Sequence, residues 1–123
     1  MKKTAIKEKY QAPENIRALF REAAEQFGDK VVYKYFTSAN DVGEMTYNQL
    51  YETYNAIGTA ISDAGLQYTK IAILSENRPE WVISYGAIIG SASVVIPLDK
   101  ELLPDQIQNF LQWHSVLWLQ KWF

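Results

Sequence analysis

The amino-acid sequence predicts an α/β protein with a β-hairpin and a parallel sheet covered by helices. Three observations support this prediction. Helical periods of apolar residues alternate with short β-branched runs, proline or glycine marks most boundaries, and 48% of the residues are hydrophobic. From residue 69 the predicted order is strand, helix, strand, helix, which is typical of a parallel sheet with right-handed crossovers. Because no strand is predicted after the last helix, we expect the sheet to be incomplete.

Composition and charge exclude several classes of function. The 123 residues fit one domain, and the net charge of -2 provides no strongly basic surface for nucleic acid. The chain has no cysteine and one histidine, His114, which excludes disulfides, thiol catalysis and thiolate metal sites. No apolar run reaches the roughly twenty residues of a membrane-spanning helix. The basic start is not followed by the apolar run of a signal peptide, so we expect a cytoplasmic protein without a transmembrane segment.

The first third of the chain predicts an arm, a helix and a hairpin. Residues 1–12 are polar without an apolar period, which indicates a loose N-terminal arm, whereas the domain is expected over 13–111. A helix is predicted over 14–27, where apolar residues recur at three and four positions and a glycine follows. A strand over 31–36 and a short return over 44–46 predict the hairpin. The predicted apolar face of the helix consists of Ile16, Leu19, Phe20, Ala23 and Phe27.

A second helix is predicted to begin at Thr46 and to close at Gly65. Thr46 and Gln49 have the spacing of a capping box, in which each side chain accepts a hydrogen bond from the other residue's backbone N–H. The apolar residues that follow are spaced three and four apart, which is typical of a helix packed on a core. They are Tyr47, Leu50, Tyr54, Ile57, Ile61 and Ala64.

The rest of the domain predicts two parallel strands and two helices. The runs 71–74 and 93–97 are short and apolar, as in strands covered on both faces. Between them a helix is predicted over 79–90, with proline at its first position and Gly90 in a left-handed conformation at its end. The last helix opens at Pro104. Its apolar face comprises Ile107, Phe110 and Leu111.

The turn after the first parallel strand has a functional and a structural interpretation, and the structural one is favoured. Residues 75–78 follow the carboxyl end of that strand, and open α/β sheets usually bind ligands at this edge. In the alternative interpretation the turn is structural, with Asn77 capping the next helix and Trp81 packing that helix onto the sheet. Arg78 and Glu80 are then solvated.

Three motifs in order give the chain a resemblance to a known family. They are Thr-Tyr-Asn-Gln-Leu at 46–50, Ile-Ala-Ile-Leu-Ser-Glu-Asn-Arg-Pro-Glu-Trp at 71–81, and Val-Val-Ile-Pro-Leu-Asp at 94–99. With this spacing the region 14–111 resembles the first subdomain of the AMP-dependent synthetase and ligase family, the adenylate-forming enzymes, and especially the long-chain fatty acyl-CoA synthetases. One departure lies at 66–70, where the family usually has a Gly-Asp pair before the strand and this chain is one residue shorter.

The resemblance implies a two-step ligase reaction in intact relatives, which are cytoplasmic or peripheral to a membrane. ATP and a carboxylic acid form an acyl-adenylate, coenzyme A then takes the acyl group, and magnesium is required. The family holds the phosphates with a loop rich in Ser, Thr and Gly that ends in Pro-Lys-Gly, and these 123 residues contain no such segment. The nearest segment, 90–93, is interpreted as a helix terminus. We therefore expect no catalytic, cofactor-binding or metal-binding residue here, and no activity from this chain alone.

Residues 112–123 form a tail that does not follow the family pattern. It contains three of the four tryptophans and ends in phenylalanine. One hypothesis is a single-base frameshift near codon 112, because a shifted frame can read Phe-Ser-Ala-Val-Val-Ala-Glu-Met-Val, which fits the family. The alternative is a terminal helix or strand whose apolar side chains pack on the core. His114 has no partner that would support acid-base catalysis. The tail residues considered for association are Trp113, Trp118, Trp122 and Phe123.

Three functional hypotheses remain open. The first is a truncated fatty acid-CoA ligase that is inactive alone. The second is a protein-interaction module that pairs with the missing part of such an enzyme through exposed apolar strands and the aromatic tail residues. The third is an unrelated α/β domain that binds a small molecule and shares only the fold.

Overall fold

The computed structural model describes residues 11–114 and 117–119, with side chains described for 11–112. In these residues the chain forms four helices and five strands in two sheets. The helices are α1 (Ile16–Phe27), α2 (Tyr47–Asp63), α3 (Pro79–Gly90) and α4 (Pro104–His114). The strands are β1 (Val31–Phe36), β2 (Val42–Thr46), β3 (Lys70–Ile73), β4 (Val94–Pro97) and β5 (Leu117–Leu119). Within this part of the chain, none of the helices combines the length and the apolar character that crossing a bilayer requires.

Helix α1 begins at Ile16, two residues later than predicted, and the side chain of Asn15 caps it. The Oδ1 atom of Asn15 accepts a hydrogen bond from the backbone N–H of Ala18 at 2.9 Å. The predicted apolar face is wrong at Leu19, which is 42% exposed. Phe20 is buried as predicted, and Ala18 and Ala24 are buried with it, because α1 packs against both α2 and α3 along that face.

Strands β1 and β2 form the predicted antiparallel hairpin. Val31 pairs with Thr46 and Phe36 pairs with Val42, so the return strand is longer than the predicted 44–46. A bulge lies near the start of β1, where the register shifts by one residue. The hairpin ends at Thr46, which is also the N-cap of α2.

Helix α2 has the capping box predicted from its sequence. The backbone N–H of Gln49 donates to Thr46 Oγ1 at 3.2 Å, and the backbone N–H of Thr46 donates to Gln49 Oε1 at 2.9 Å. The buried members of the predicted apolar stripe are Leu50, Tyr54 and Ile61. Ala64 is exposed, because the helix ends at Asp63 and not at the glycine that follows.

Strand β3 is the centre of a three-stranded parallel sheet with the order β4-β3-β5. Ile71 and Ala72 are fully buried, as predicted for a strand covered on both faces. Ile71 pairs with Val95 on one side and with Leu117 on the other. The prediction that no strand follows the last helix is therefore wrong, because the chain after α4 bonds to the second edge of β3. Within the described residues β4 and β5 are both edge strands, so the predicted incomplete sheet is confirmed.

The edge position of β4 corrects the prediction of a strand buried on both faces. Val94 is 57% exposed, and Val95 and Ile96 are half-buried. Among the described elements β4 pairs only with β3, and α3 packs against it. A strand is buried on both faces only where other elements cover each face, and an apolar sequence does not show whether both are covered.

Helix α3 has the predicted bounds, but its ends are built differently from the prediction. Its N-cap is Arg78 and not Asn77, and the N-cap side chain makes no capping hydrogen bond. Proline at the first helical position removes one of the unpaired N–H groups of the first turn, and its fixed φ favours the helix. At the other end Gly90 does not adopt the expected left-handed conformation, which occurs instead at Ala92 with φ of 57°.

Two glycines of α3 form a notch that accepts aromatic rings from the other helices. Phe20 of α1 and Tyr54 of α2 stack with ring centroids 4.2 Å apart and an interplanar angle of 14°. A Cβ atom at Gly86 would lie 2.5 Å from the Phe20 ring, and one at Gly90 would overlap the Tyr54 hydroxyl. Because the two glycines are four residues apart, they lie on one face of α3. The close packing of the three helices therefore requires this glycine notch.

Gly86→Ala is expected to destabilise the protein, although alanine is the better helix former. The added methyl group must displace the Phe20 ring, which is held against Tyr54, and such overpacking costs about 1–3 kcal/mol. Gly58 of α2 is the matched control, because a Cβ atom there meets no described atom within 4 Å. Gly58→Ala is expected to stabilise by about 0.5–1 kcal/mol. Urea unfolding of both variants measures the difference, and a gain in stability for Gly86→Ala would contradict the notch.

Tyr68 has a strained backbone in the loop where the sequence departs from the family pattern. Its φ is 60°, and its side chain is 83% exposed. The loop is held by Thr69 Oγ1, which donates to the Leu66 carbonyl at 2.6 Å, and by Ser93 Oγ, which donates to the same carbonyl at 3.0 Å. These bonds hold the loop in place while the exposed tyrosine side chain contributes little packing.

Tyr68→Gly is expected to raise the free energy of unfolding by about 0.5–1 kcal/mol. The left-handed conformation costs a non-glycine residue about 1–2 kcal/mol, which the glycine variant avoids. The greater freedom of glycine in the unfolded chain offsets part of this stabilisation. Gln67→Gly is the control, because Gln67 is exposed and has no positive φ. Gln67→Gly is expected to lower the free energy of unfolding, because glycine has more freedom in the unfolded chain. Equal losses for the two variants in urea unfolding would show that the loop is not strained.

Candidate functional site

A cleft of about 490 Å³ opens at the carboxyl ends of β3 and β4; we refer to it as the sheet-edge cleft. Ile73 pairs with Pro97 at the ends of the two strands, so the segments that follow them meet at one edge of the sheet. The predicted ligand turn, 75–78, contributes three of its four residues to this cleft. The lining residues are Ser75, Glu76, Asn77, Trp81, Leu98, Asp99 and Lys100.

Packing of α3 and of the segment after β4 positions the walls of the sheet-edge cleft. Trp81 is half-buried, stacks on Tyr85 with ring centroids 5.3 Å apart, and packs against the hydrophobic core. The backbone N–H of Leu98 donates to the Ile73 carbonyl at 2.9 Å, which extends the pairing of β3 and β4 by one residue. Trp81 therefore packs the helix onto the core, as the structural interpretation predicted, and also lines the cleft.

The polar groups of the sheet-edge cleft offer hydrogen bonds and charges of both signs to a ligand. Ser75 Oγ donates to the Glu76 carbonyl at 3.1 Å. Asp99 Oδ1 accepts a hydrogen bond from the backbone N–H of Glu101 at 2.9 Å, which orders the turn after β4. Lys100 contributes the positive charge. Across the residues that the structure describes, no group of three or more His, Cys, Asp or Glu side chains is placed to hold a metal ion.

The segment 90–93 does not fit the triphosphate of ATP. Ser91 Oγ donates to the Ala87 carbonyl at 2.8 Å, and Ser93 Oγ donates to the Leu66 carbonyl at 3.0 Å. Both serines are buried. A phosphate cradle needs hydroxyls and backbone N–H groups that converge on an open space, whereas these hydroxyls are directed at carbonyl groups of the chain.

A second cleft, of about 430 Å³, lies between α1, α2 and the end of α3, and we call it the arginine cleft. It contains Arg17 and Arg21, which the sequence reasoning did not identify. The available signal was the spacing of four residues, which places two like charges on one face of a helix. Arg17 Nε donates to the Gly90 carbonyl at 2.6 Å and so satisfies a free carbonyl at the end of α3.

Two tyrosine hydroxyls have perturbed acidity. Burial raises the pKa of Tyr54 in the arginine cleft, while the charge of Arg17 lowers it and Tyr51 raises it. Burial also raises the pKa of Tyr33, with a smaller contribution from Tyr47. Both phenols are therefore neutral hydrogen-bonding groups at physiological pH.

The surfaces considered for association lie only partly within the described chain. Val94 is exposed on the edge strand β4, as expected for an incomplete sheet. Trp122 and Phe123 lie outside the described residues, and so do the side chains of Trp113 and Trp118. Association through these groups stays a prediction.

Comparison with known proteins identifies the family. Residues 20–115 match the family model of the AMP-binding enzymes. The chain is 36% identical over 66 residues to long-chain-fatty-acid--CoA ligase 1 of Cavia porcellus, a match that covers 51% of this chain and 10% of that protein. It is 28% identical over 100 residues to bacitracin synthase 3 of Bacillus licheniformis, which covers 80% of this chain and 2% of the synthase. The chain thus spans a small part of these relatives.

Solved structures show the same fold. The artificially fused adenylation-PCP di-domain NpsA-ThdA from Klebsiella oxytoca aligns with a TM-score of 0.71 and 21% identity, over 89% of this chain and 20% of that chain. IdnL1 aligns with a TM-score of 0.74 and 15% identity, over 88% of this chain and 23% of that chain. Because the family match covers most of the sequence and the fold agrees with it, the chain belongs to the family of AMP-binding, adenylate-forming enzymes and has the fold of part of their N-terminal subdomain.

Proposed function

We propose that this chain is part of a fatty acid-CoA ligase and that its 123 residues do not catalyse the reaction alone. The observation that carries the proposal is the 36% identity over 66 residues to the ligase of Cavia porcellus. The match to bacitracin synthase 3 is longer but weaker, at 28% identity. In this proposal the intact enzyme joins a fatty acid to coenzyme A with ATP and magnesium in the cytoplasm.

The proposed contribution of these residues is to build and position one wall of the ligase. Strand β3 is buried at the centre of the sheet, so the turns after β3 and β4 have a fixed place at its edge. The cleft there offers two carboxylates, an ammonium group and the face of Trp81 for orienting a ligand. The serine hydroxyls of segment 90–93 are directed at carbonyl groups of the chain, so this proposal assigns no step of the ligase reaction to that segment.

The purified 123-residue protein is expected to show no ATP-pyrophosphate exchange and no acyl-CoA formation with magnesium, coenzyme A and a long-chain fatty acid. A phosphate cradle supplies much of the charge stabilisation in phosphoryl chemistry, and these residues lack one. The ligase of Cavia porcellus, assayed in parallel, is the positive control. Turnover above the protein-free blank would overturn the proposal that the chain is inactive alone.

The gene sequence tests the assignment to a longer ligase. We expect a reading frame downstream of codon 112 that encodes a loop rich in Ser, Thr and Gly and ending in Pro-Lys-Gly, in a frame shifted by one base. Sequencing the genomic DNA and the transcript provides the measurement. If the shifted frame beyond codon 112 encodes no such loop, the frameshift explanation of the tail fails.

A further inference from the structure

The arginine cleft has a charge that contrasts with the rest of the chain. Its lining includes Arg17 and Arg21 and contains no acidic residue, whereas the whole chain has a net charge of -2. It shares no lining residue with the sheet-edge cleft. A concave surface of one sign concentrates ligands of the opposite sign, so this cleft favours anions.

The two guanidinium groups remain available to a ligand. Arg17 is held by its Nε bond to the Gly90 carbonyl, and among the described residues it forms no ion pair. Arg21 approaches Glu22 and Glu25 only at 3.8 Å, on a surface where its side chain is 53% exposed. Ion pairs of this length and exposure contribute little energy, so a bound anion can compete with them.

One face of α2 adds neutral hydrogen-bond donors. Tyr51, Asn55, Thr59 and Ser62 are three or four residues apart and line the cleft together. Within the described part of the chain, the hydroxyls of Tyr51, Thr59 and Ser62 have no hydrogen-bonding partner. Together with two guanidinium groups, they suit a phosphoryl group, which accepts through three oxygens, better than a carboxylate, which accepts through two.

Gly58 lines the arginine cleft and lies beside open space. It lies in the interior of α2, where glycine lowers helix stability, and a Cβ atom there would meet no described atom within 4 Å. The notch glycines Gly86 and Gly90 differ, because each of them contacts an aromatic side chain. Packing therefore explains the glycines of α3 but not Gly58. The space that the arginine cleft offers a ligand does explain a glycine at position 58.

From this charge, donor set and open space, we infer that the arginine cleft binds the phosphoryl group of a small soluble molecule. Arg17 and Arg21 pair with the phosphate oxygens, and the hydroxyls of α2 donate to the remaining acceptor positions. The inference stands on the cleft itself and not on the proposed ligase function. It adds a binding site at the opposite end of α3 from the sheet-edge cleft.

Titration of the 123-residue protein with inorganic phosphate and with pyrophosphate tests the site. Binding is expected in isothermal titration calorimetry, and Arg21→Gln is expected to weaken it about tenfold, because one charged hydrogen-bonding partner is lost. Arg21 is exposed and outside the core, so this variant should fold. Lys100→Gln is the matched control, since it removes one positive charge from the sheet-edge cleft. Loss of binding in Lys100→Gln but not in Arg21→Gln would overturn the inference.

Variants of Gly58 separate binding from stability. Gly58→Ala adds one methyl group and Gly58→Leu fills the cleft, while both residues are better helix formers than glycine. Pyrophosphate binding is expected to fall from wild type to the alanine variant and to vanish in the leucine variant, with unfolding midpoints no lower than that of wild type. Unchanged binding by a folded Gly58→Leu variant would sink the inference, as would a wild-type protein that binds neither anion.

Discussion

The stacking of Phe20 on Tyr54 within the glycine notch of α3 is the contact on which the rest of the structure depends. It joins three helices at one point, because each ring comes from a different helix and the notch belongs to the third. Helix α3 in turn packs against β3 and β4, with Ile83 and Ile88 fully buried. Burial on this scale contributes about 1.5–3 kcal/mol for each large side chain. The helical layer therefore holds the two strands whose ends form the sheet-edge cleft.

Helix α3 also relates the two clefts. Its first turn places Trp81 in the sheet-edge cleft, and its last residue, Gly90, lies in the arginine cleft. With 12 residues, the helix is about 18 Å long at the usual rise per residue. The clefts are thus separated by the length of one rigid element, and the same glycine that admits Tyr54 also presents its carbonyl to Arg17. Gly90 therefore takes part both in the packing of the three helices and in the lining of the arginine cleft.

The motifs that carry the family resemblance build one helix start and the sheet edge. The motif at 46–50 supplies the capping box of α2, the motif at 71–81 runs from β3 through the ligand turn to Trp81, and the motif at 94–99 forms β4 and the segment after it. Membership of the family rests on the match over residues 20–115, which includes all three motifs. The chemistry of phosphate activation requires a cradle that these 123 residues do not contain.

The sequence by itself determined the identity of most elements, because caps, proline positions and apolar periods act between residues close in the chain. The capping box of Thr46 and Gln49 and the bounds of α3 are examples. Only the tertiary structure decided which faces are buried, since the exposure of Leu19 and the edge position of β4 depend on distant neighbours. The position of the sheet-edge cleft was predictable from strand polarity, whereas the arginine cleft was not. Its walls come from three helices that approach only because the notch lacks side chains, and no local pattern encodes that distance.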